Sequence, residues 1–405
     1  MALTPYLDIT FKSETVREPQ VRLTIDENAR ERFNVVLPNF FAAHAFGGIT
    51  SAVELAGHLC RHYEDIRFVS LAPFGAEEEM FDFAALVPGL EGKTAQRFST
   101  AMAPLPCHQH DIFFCTLWTT TLLWQRHTLA LAEQGYKRNP FYYFIQDWEP
   151  GFYPFGYRNA MARASYAPEP FIHAVFNSGP LERFFLDMGY RFHRQYAIAP
   201  SLNPELRKYL EYKNWKLSGK SRDQVVILVY GRPTESRNCF LSAMEGLYRF
   251  FETNPGRGGK RFVVISAGQL HEELEMPGGV VVQSVGKLPL PKYIAALEAA
   301  HIGLSLMDSP HPSYPPLEMA TFGAYTITNH FQCKDLTGVH PLLKPVETPT
   351  PDEVAEGLHR ALAWVESGGS VTDAAPPRCL SPLPWSENIA RRSEERRVGK
   401  ECATG

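Results

Sequence analysis

Long apolar runs are missing from this 405-residue chain: none approaches the about 20 residues that span a bilayer. Its first residues also lack the charged-then-apolar order of a secretory leader. Both absences point to a cytoplasmic protein. Cysteine is sparse and unpaired in pattern. The seven cysteines include no C-x-x-C pair and no metal-ligand spacing, and their odd number argues against a disulfide framework. Positive charge is not in excess, with 40 Lys and Arg against 44 Asp and Glu, so no nucleic-acid-binding face is expected. A short-period repeat is absent as well. Asp308 has no second aspartate at D-x-D spacing, and no His/Cys/Asp/Glu cluster stands elsewhere, which argues against a bound divalent metal.

What is present is an ordinary globular composition, 44% hydrophobic and 21% charged, long enough for two domains. Residues 1–32 are polar and irregular and read as an N-terminal arm. From residue 33, short apolar runs alternate with amphipathic segments, the pattern of parallel sheets covered by helices. FNVVLPNF is a strand followed by Gly47 and Gly48 at a turn into a helix. Glycine there lets a backbone come close to a ligand, or simply makes the turn tight. DIFFCTLWTTT (residues 111–121) reads as a strand leading to a helix over 126–134.

FYYFIQ is a buried strand, and DWEPGFYPFG leaves its carboxyl end, where open α/β sheets place their ligands. Asp147 and Glu149 there stand among aromatic residues, a combination that suits a sugar or fills an aromatic interdomain loop. Ser178 or Asn177 caps the next helix. Residues 206–222 are basic and loosely patterned, and read as a solvated linker; contact with an anionic membrane surface is the alternative.

The second half opens with VVILVY and the turn GRPTESRN. Arg232 and Arg237 therefore lie at a sheet's carboxyl edge, where two guanidiniums suit a diphosphate. Lys287 sits in a later strand-to-helix turn. In HIGLSLMDSPHPSYPPLEMATFGAYTITN, a strand, a helix opening at Pro315 and Pro316, and a second strand follow one another. Glu318 is expected in that helix's first turn, either favouring the helix start or accepting ribose hydroxyls.

The strand, proline-rich turn, P-L-E-M-A and F-G-A of residues 301–329 resemble the donor-sugar motif of GT-B glycosyltransferases. That motif has the form E-x7-E. Its second glutamate matches Glu318, and its first falls at Pro310, so half the motif is replaced. HPSYPPLEMA, with Tyr314, and QDWEPGFYPFG resemble the bacterial rhamnosyltransferases that build S-layer and O-antigen rhamnans.

The resemblance implies a GT-B fold of two Rossmann-like α/β domains facing a cleft. The expected divisions are an acceptor domain over 33–205, a linker over 206–222, a donor domain over 223–370 and a crossover segment over 371–392. Residues 393–405, SEERRVGKECATG, resemble translated sequencing-adaptor sequence and are left outside the fold. The implied activity is transfer of L-rhamnose from dTDP-L-rhamnose to a growing cell-surface polysaccharide, with a glycan acceptor, possible lipid linkage and no metal. Arg232, Arg237, Lys287, Tyr314 and Glu318 are the expected donor residues. Asp147 and Glu149 are the expected catalytic carboxylates, with Asp147 as base if the reaction inverts, and Gly47 and Gly48 line the acceptor loop. Two other classes remain open at this point. One is a nucleotide-sugar hydrolase or epimerase, although AFGGIT lacks the G-x-G-x-x-G that an epimerase would want. The other is an inactive carbohydrate-binding protein.

Overall fold

The computed structural model describes residues 23–39, 47–60, 63–72, 94–99, 103–167, 169–221, 223–254 and 261–382. The chain forms two units. The first comprises Met1–Ile145, Phe155–Val175 and Arg191–Tyr196; the second comprises Gln146–Pro154, Phe176–Tyr190 and Ala197–Gly405.

The strands associated with the first unit are β1 (Leu23–Ile25), β2 (Arg32–Leu37), β3 (Asp65–Ser70), β4 (Thr94–Ser99), β5 (Leu105–Cys107), β6 (Ile112–Cys115), β7 (Phe141–Ile145), β8 (Ile172–Phe176) and β9 (Arg194–Ala197). Seven of them form one sheet in the order β4-β3-β2-β6-β7-β8-β9, and β1 pairs with β5 in a separate ribbon. The pairs β2–β3, β2–β6, β3–β4 and β6–β7 are all parallel. Set aside the ribbon, and this is the 3-2-1-4-5-6 winding of a Rossmann sheet, extended by one strand. Valine, isoleucine and phenylalanine fill β2 and β3, which are buried along nearly their whole length, as parallel strands are.

Helix α1 (Gly47–Leu59) follows β2 and buries Ala52, Val53, Leu55 and Ala56 at helical spacing. Helix α2 (Trp118–Glu133) follows β6, and its Trp124 stacks on Phe141 with centroids 3.9 Å apart. The strand expected over 111–121 therefore ends at Cys115. Three threonines in a row have strand propensity, but the Thr120 hydroxyl accepts from the N–H groups of Thr116 and Leu117 and starts the helix instead. Helix α3 (Tyr157–Ala164) completes the unit's labelled helices.

The second unit holds α4 (Gly179–Asp187), α5 (Pro204–Tyr212), β10 (Gln224–Gly231), α6 (Phe240–Glu252), β11 (Arg261–Gly268), β12 (Leu274–Met276), β13 (Val280–Gly286), α7 (Leu290–Ala299), β14 (Ile302–Leu304), α8 (Tyr314–Thr321), β15 (Tyr325–Asn329), β16 (Leu343–Val346) and α9 (Pro351–Glu366). Its sheet runs β12-β13-β11-β10-β14-β15-β16, with only β12 antiparallel to its neighbour. Without that edge strand the order is again 3-2-1-4-5-6.

Period-two alternation splits β10 between two cores. Val225, Ile227 and Val229 join Leu247 and Phe250 of α6 and Val354 and Leu358 of α9. Leu228 joins Leu206 and Leu210 of α5, Leu297 of α7, and Leu317 and Ala320 of α8. Both sheet faces are thus covered. At about 25 cal/mol per Å² of apolar surface, burial of this kind is the main force holding the sheet and helices together.

Several boundaries differ from those expected. Residues 146–154 and 176–190 belong with the second unit. The segment read as a linker begins within α5, whose Leu206 and Leu210, one helical turn apart, are fully buried in the second core. Asn203 caps that helix by accepting from Glu205 N at 2.9 Å. Six basic residues in 206–222 hid an apolar i, i+4 pair. The segment after α9 stays with the second unit as far as it is described: Ala374 N donates to Trp215 O at 2.8 Å, and Ser381 N to Pro200 O at 2.7 Å. Residues 383–392 and the tail at 393–405 lie outside the described residues, as do 1–22 of the arm, whose residues 23–25 form β1. Among the described residues, no helix is long and apolar enough to cross a membrane.

Candidate active site

In the second sheet, β10 has β11 on one side and β14 on the other, so the direction of winding reverses between β10 and β14. Ligands of open α/β sheets bind at the carboxyl ends flanking such a point. Glycine shapes this edge. A Cβ at Gly231 would lie 2.0 Å from Ser266 Oγ, and one at Gly268, where φ is +142°, would lie 2.3 Å from Gly231 O. Only glycine permits that approach.

Beyond Gly231, Glu235 accepts from Arg232 Nη2 at 3.2 Å and from Arg237 Nη1 at 2.7 Å. One carboxylate thus spaces two guanidiniums and leaves the group with one net positive charge. Arg237 is held further by the Phe152 ring, whose centroid is 4.3 Å from its Cζ, a cation–π contact. Its carbonyl accepts from Asp308 N at 2.7 Å, tying the loop after β10 to the loop after β14.

Asp147 stands 3.4 Å from Arg237 Nε through Oδ2. Its Oδ1 accepts from Trp148 N at 2.8 Å and from Ser309 Oγ. The residue is 6% exposed. Burial raises its pKa, while Arg237 first, then Ser309, the Trp148 N–H and Lys334, oppose the rise. Lys334 is fully buried and donates through Nζ to Met307 O. Burial lowers its pKa to about 8, with Asp147 and Asp308 opposing the fall.

The loop to α8, SPHPSYPP, is half proline. Ser313 reaches φ +65°, and α8 begins at Tyr314. Glu318 is therefore the fifth helical residue and not a first-turn residue as expected. The two prolines follow Tyr314 and occupy the second and third positions, which shifts the helix one residue earlier. They also delete two N–H groups from the first turn, so this helix end is poor in anion-binding amides. Glu318 acts through its side chain: Oε2 accepts from the Tyr293 hydroxyl at 2.7 Å. Oε1 has no hydrogen-bond partner among the described residues. Burial raises the Glu318 pKa to about 7, with the Tyr293 bond opposing.

The structure thus brings together Asp147, Arg232 and Arg237 through direct contacts and Glu235, and sets Tyr314 and Glu318 on one helix of the same unit. Glu149 is buried at the start of the short 3-10 turn Glu149–Phe152, also in the second unit. Lys287 is on the exposed turn between β13 and α7. Gly47 and Gly48 are the first two residues of α1, in the first unit, and not a turn preceding it. Asp147 was expected on a loop of the first domain with an oxygen available as base. Instead it packs within the second unit with both oxygens engaged. Glu235, Tyr293, Ser309 and Lys334 escaped the sequence reading. Glu235 alone had a local signal, its place between two arginines. The others reach the site from 25 or more residues away in the pairings that matter.

Two Rossmann-ordered sheets in one chain are the architecture of the GT-B fold. Residues 32–179 match the N-terminal domain of WsaF, and residues 225–359 match its C-terminal domain. The chain belongs to the WsaF family, in agreement with the resemblance read from HPSYPPLEMA and QDWEPGFYPFG. It is similar to the O-antigen biosynthesis protein RfbC of Myxococcus xanthus, 27% identical over 284 residues. That match covers 69% of this chain and 20% of the relative, so the chain spans about a fifth of its length. Among solved structures, sucrose-phosphate synthase from Thermosynechococcus elongatus aligns with a TM-score of 0.54 and 11% identity, over 92% of this chain and 100% of the other. WaaG, a glycosyltransferase involved in lipopolysaccharide biosynthesis, aligns with a TM-score of 0.49 and 13% identity, over 89% and 95%. The first of these supports the fold.

Proposed function

We propose that this protein transfers a sugar from a nucleoside diphosphate to a growing bacterial surface polysaccharide, and that the donor is dTDP-L-rhamnose. The observation that carries the reading is the Arg232–Glu235–Arg237 group at the winding reversal of the second sheet. Family membership and the O-antigen relative support the polysaccharide; the residues of HPSYPPLEMA support rhamnose.

The chemistry follows from charge. When the glycosidic bond to phosphate breaks, negative charge grows on the departing diphosphate. Fixed guanidiniums stabilise that charge without reorganising at the moment of reaction. Arg232 and Arg237 hold the diphosphate, Lys334 adds a buried positive field beneath them, and no divalent metal takes part. Glu318 Oε1 accepts a ribose hydroxyl while Tyr293 fixes the carboxylate. Lys287 reaches the phosphate or base from its exposed turn, and Tyr314 contacts the sugar.

Asp147 positions Arg237 in this account. It can serve as base in an inverting reaction only after Ser309 or Arg237 releases an oxygen. Glu149 remains the second acidic residue of that loop. Gly47 and Gly48 allow the acceptor glycan, free or lipid-linked, to approach the first unit, and the reaction is proposed to take place in the cytoplasm, with any membrane contact peripheral.

Incubation with dTDP-L-rhamnose and a rhamnan oligosaccharide, with released dTDP followed by chromatography, tests the reading. Release that needs both substrates and survives EDTA is expected. No release, together with no thermal shift by dTDP, UDP, GDP, ADP or their sugars, would contradict it.

A further inference from the structure

His311 has no part in the roles assigned so far. It is 6% exposed. Its Nδ1 accepts a hydrogen bond from Ser313 N at 3.1 Å. A ring nitrogen that accepts carries no proton, so the proton of the neutral ring is on Nε2. That Nε2–H is buried and has no partner among the described residues. An unmet buried donor is costly and rare.

The surrounding chain holds the ring in place despite that cost. Pro310 and Pro312 fix the backbone on either side. His311 N donates to Ser309 Oγ at 3.2 Å, and Ser309 Oγ donates to Asp147. Ser313 accepts a left-handed conformation, φ +65°, next to the bond it makes to the ring. The Tyr314 ring packs at 5.6 Å. The Ser313 N–H therefore holds the imidazole in one tautomer, and its Nε2–H donor has no partner among the described residues.

The ring also stays uncharged. Burial first, then Lys334 and Arg237, lower its pKa to about 3, and a second ring proton would break the bond to Ser313. Charged partners for phosphate already exist in Arg232 and Arg237. A single neutral donor beside them suits an uncharged oxygen.

We propose that His311 Nε2–H donates a hydrogen bond to a hydroxyl or ring oxygen of the transferred sugar, which makes it a residue that reads the sugar and not the nucleotide. The inference rests on the nucleotide-sugar reading above.

The test compares dTDP with dTDP-L-rhamnose by calorimetry in the wild type, His311→Asn and His311→Gln. Asparagine Oδ1 can replace Nδ1 as acceptor for Ser313 N but lacks the reach of Nε2. The glutamine amide restores a donor near the Nε2 position. His311→Asn should bind dTDP-L-rhamnose about three- to tenfold more weakly and leave dTDP affinity about unchanged, and His311→Gln should recover part of the loss. Equal weakening of both ligands, or no change in either, would overturn the proposal while leaving the donor site standing. A wild type that binds neither ligand would remove both. Should His311→Asn fail to fold, nitrogen NMR of the wild-type histidines decides: the Nε2–H resonance of His311 should move with dTDP-L-rhamnose and not with dTDP, and an identical response to both would overturn the assignment.

Discussion

The two sheets share one winding order and use their buried charges in opposite ways. In the first, Arg67 and Asp111 form an ion pair at 3.4 Å with side chains 2% and 0% exposed. Arg67 also donates to Asn34 Oδ1 and Pro106 O, both at 2.7 Å, and Asp111 accepts from Arg32 N at 2.9 Å. This group lies toward the amino ends of β2 and β6 and is closed on itself. In the second sheet the charges stand at the carboxyl edge. Glu235 spaces two arginines that are partly exposed, and one oxygen of Glu318 has no hydrogen-bond partner among the described residues. The contrast shows that burial of charge does not mark a site. The two groups differ instead in the end of the sheet that carries the charge and in whether the group's hydrogen-bonding capacity is used up.

That contrast can be broken most forcefully at the closed pair. Arg67→Ala leaves a buried carboxylate without its cation and should cost about 3–5 kcal/mol of stability, read from urea unfolding. A double replacement, Arg67→Met with Asp111→Leu, should recover most of it, since it removes both charges and keeps the volume. An unchanged unfolding midpoint in Arg67→Ala would show that the pair does not fasten the first sheet.

Arg237→Ala should act on binding instead. Loss of one charged contact to phosphate should weaken dTDP by about 1.5–3 kcal/mol, ten- to a hundredfold. A large fall in melting temperature with unchanged dTDP affinity would make this arginine a fastener too.

Glu318 sharpens the comparison through pH. Its pKa is raised from 4.5 to about 7, so the folded state holds a proton that the unfolded state has lost between those values. Stability contributed by this group therefore falls as pH rises through that window. Ribose hydroxyls favour the ionised form, so dTDP-sugar affinity should rise about tenfold from pH 6 to 8. Both trends should vanish in Glu318→Gln, and a variant that keeps them would move their origin elsewhere.

Asp147→Asn should have the smallest effect. Asparagine keeps an oxygen for Ser309 and Trp148 but no charge for Arg237. A fall of about three- to tenfold in dTDP affinity is expected, from loss of a charge-assisted contact that is not fully shielded from water. A loss of turnover with dTDP affinity unchanged would return Asp147 to the role of base.

Much of the fold was legible in sequence because parallel strands are continuous apolar runs, as in VVILVY and FYYFIQ. The place of Arg232 and Arg237 at the carboxyl edge of the second sheet was legible because they sit in a strand-to-helix turn. The failures have a common cause. Which unit a loop packs against depends on contacts such as Arg237 with Phe152, remote in sequence, and local pattern says nothing of them. Leu206 and Leu210 were outvoted by the lysines around them. The two prolines before Glu318 were read as a helix start, whereas their missing N–H groups also mean that the helix end has little to offer an anion.

Hydrogen exchange of backbone amides with and without dTDP tests the central claim, that the nucleotide lies at the carboxyl edge of the second sheet. The account predicts slowed exchange in peptides covering residues 231–240 and 308–322, and none in peptides covering 63–72 and 103–115. Slowing confined to the first unit's peptides would contradict it.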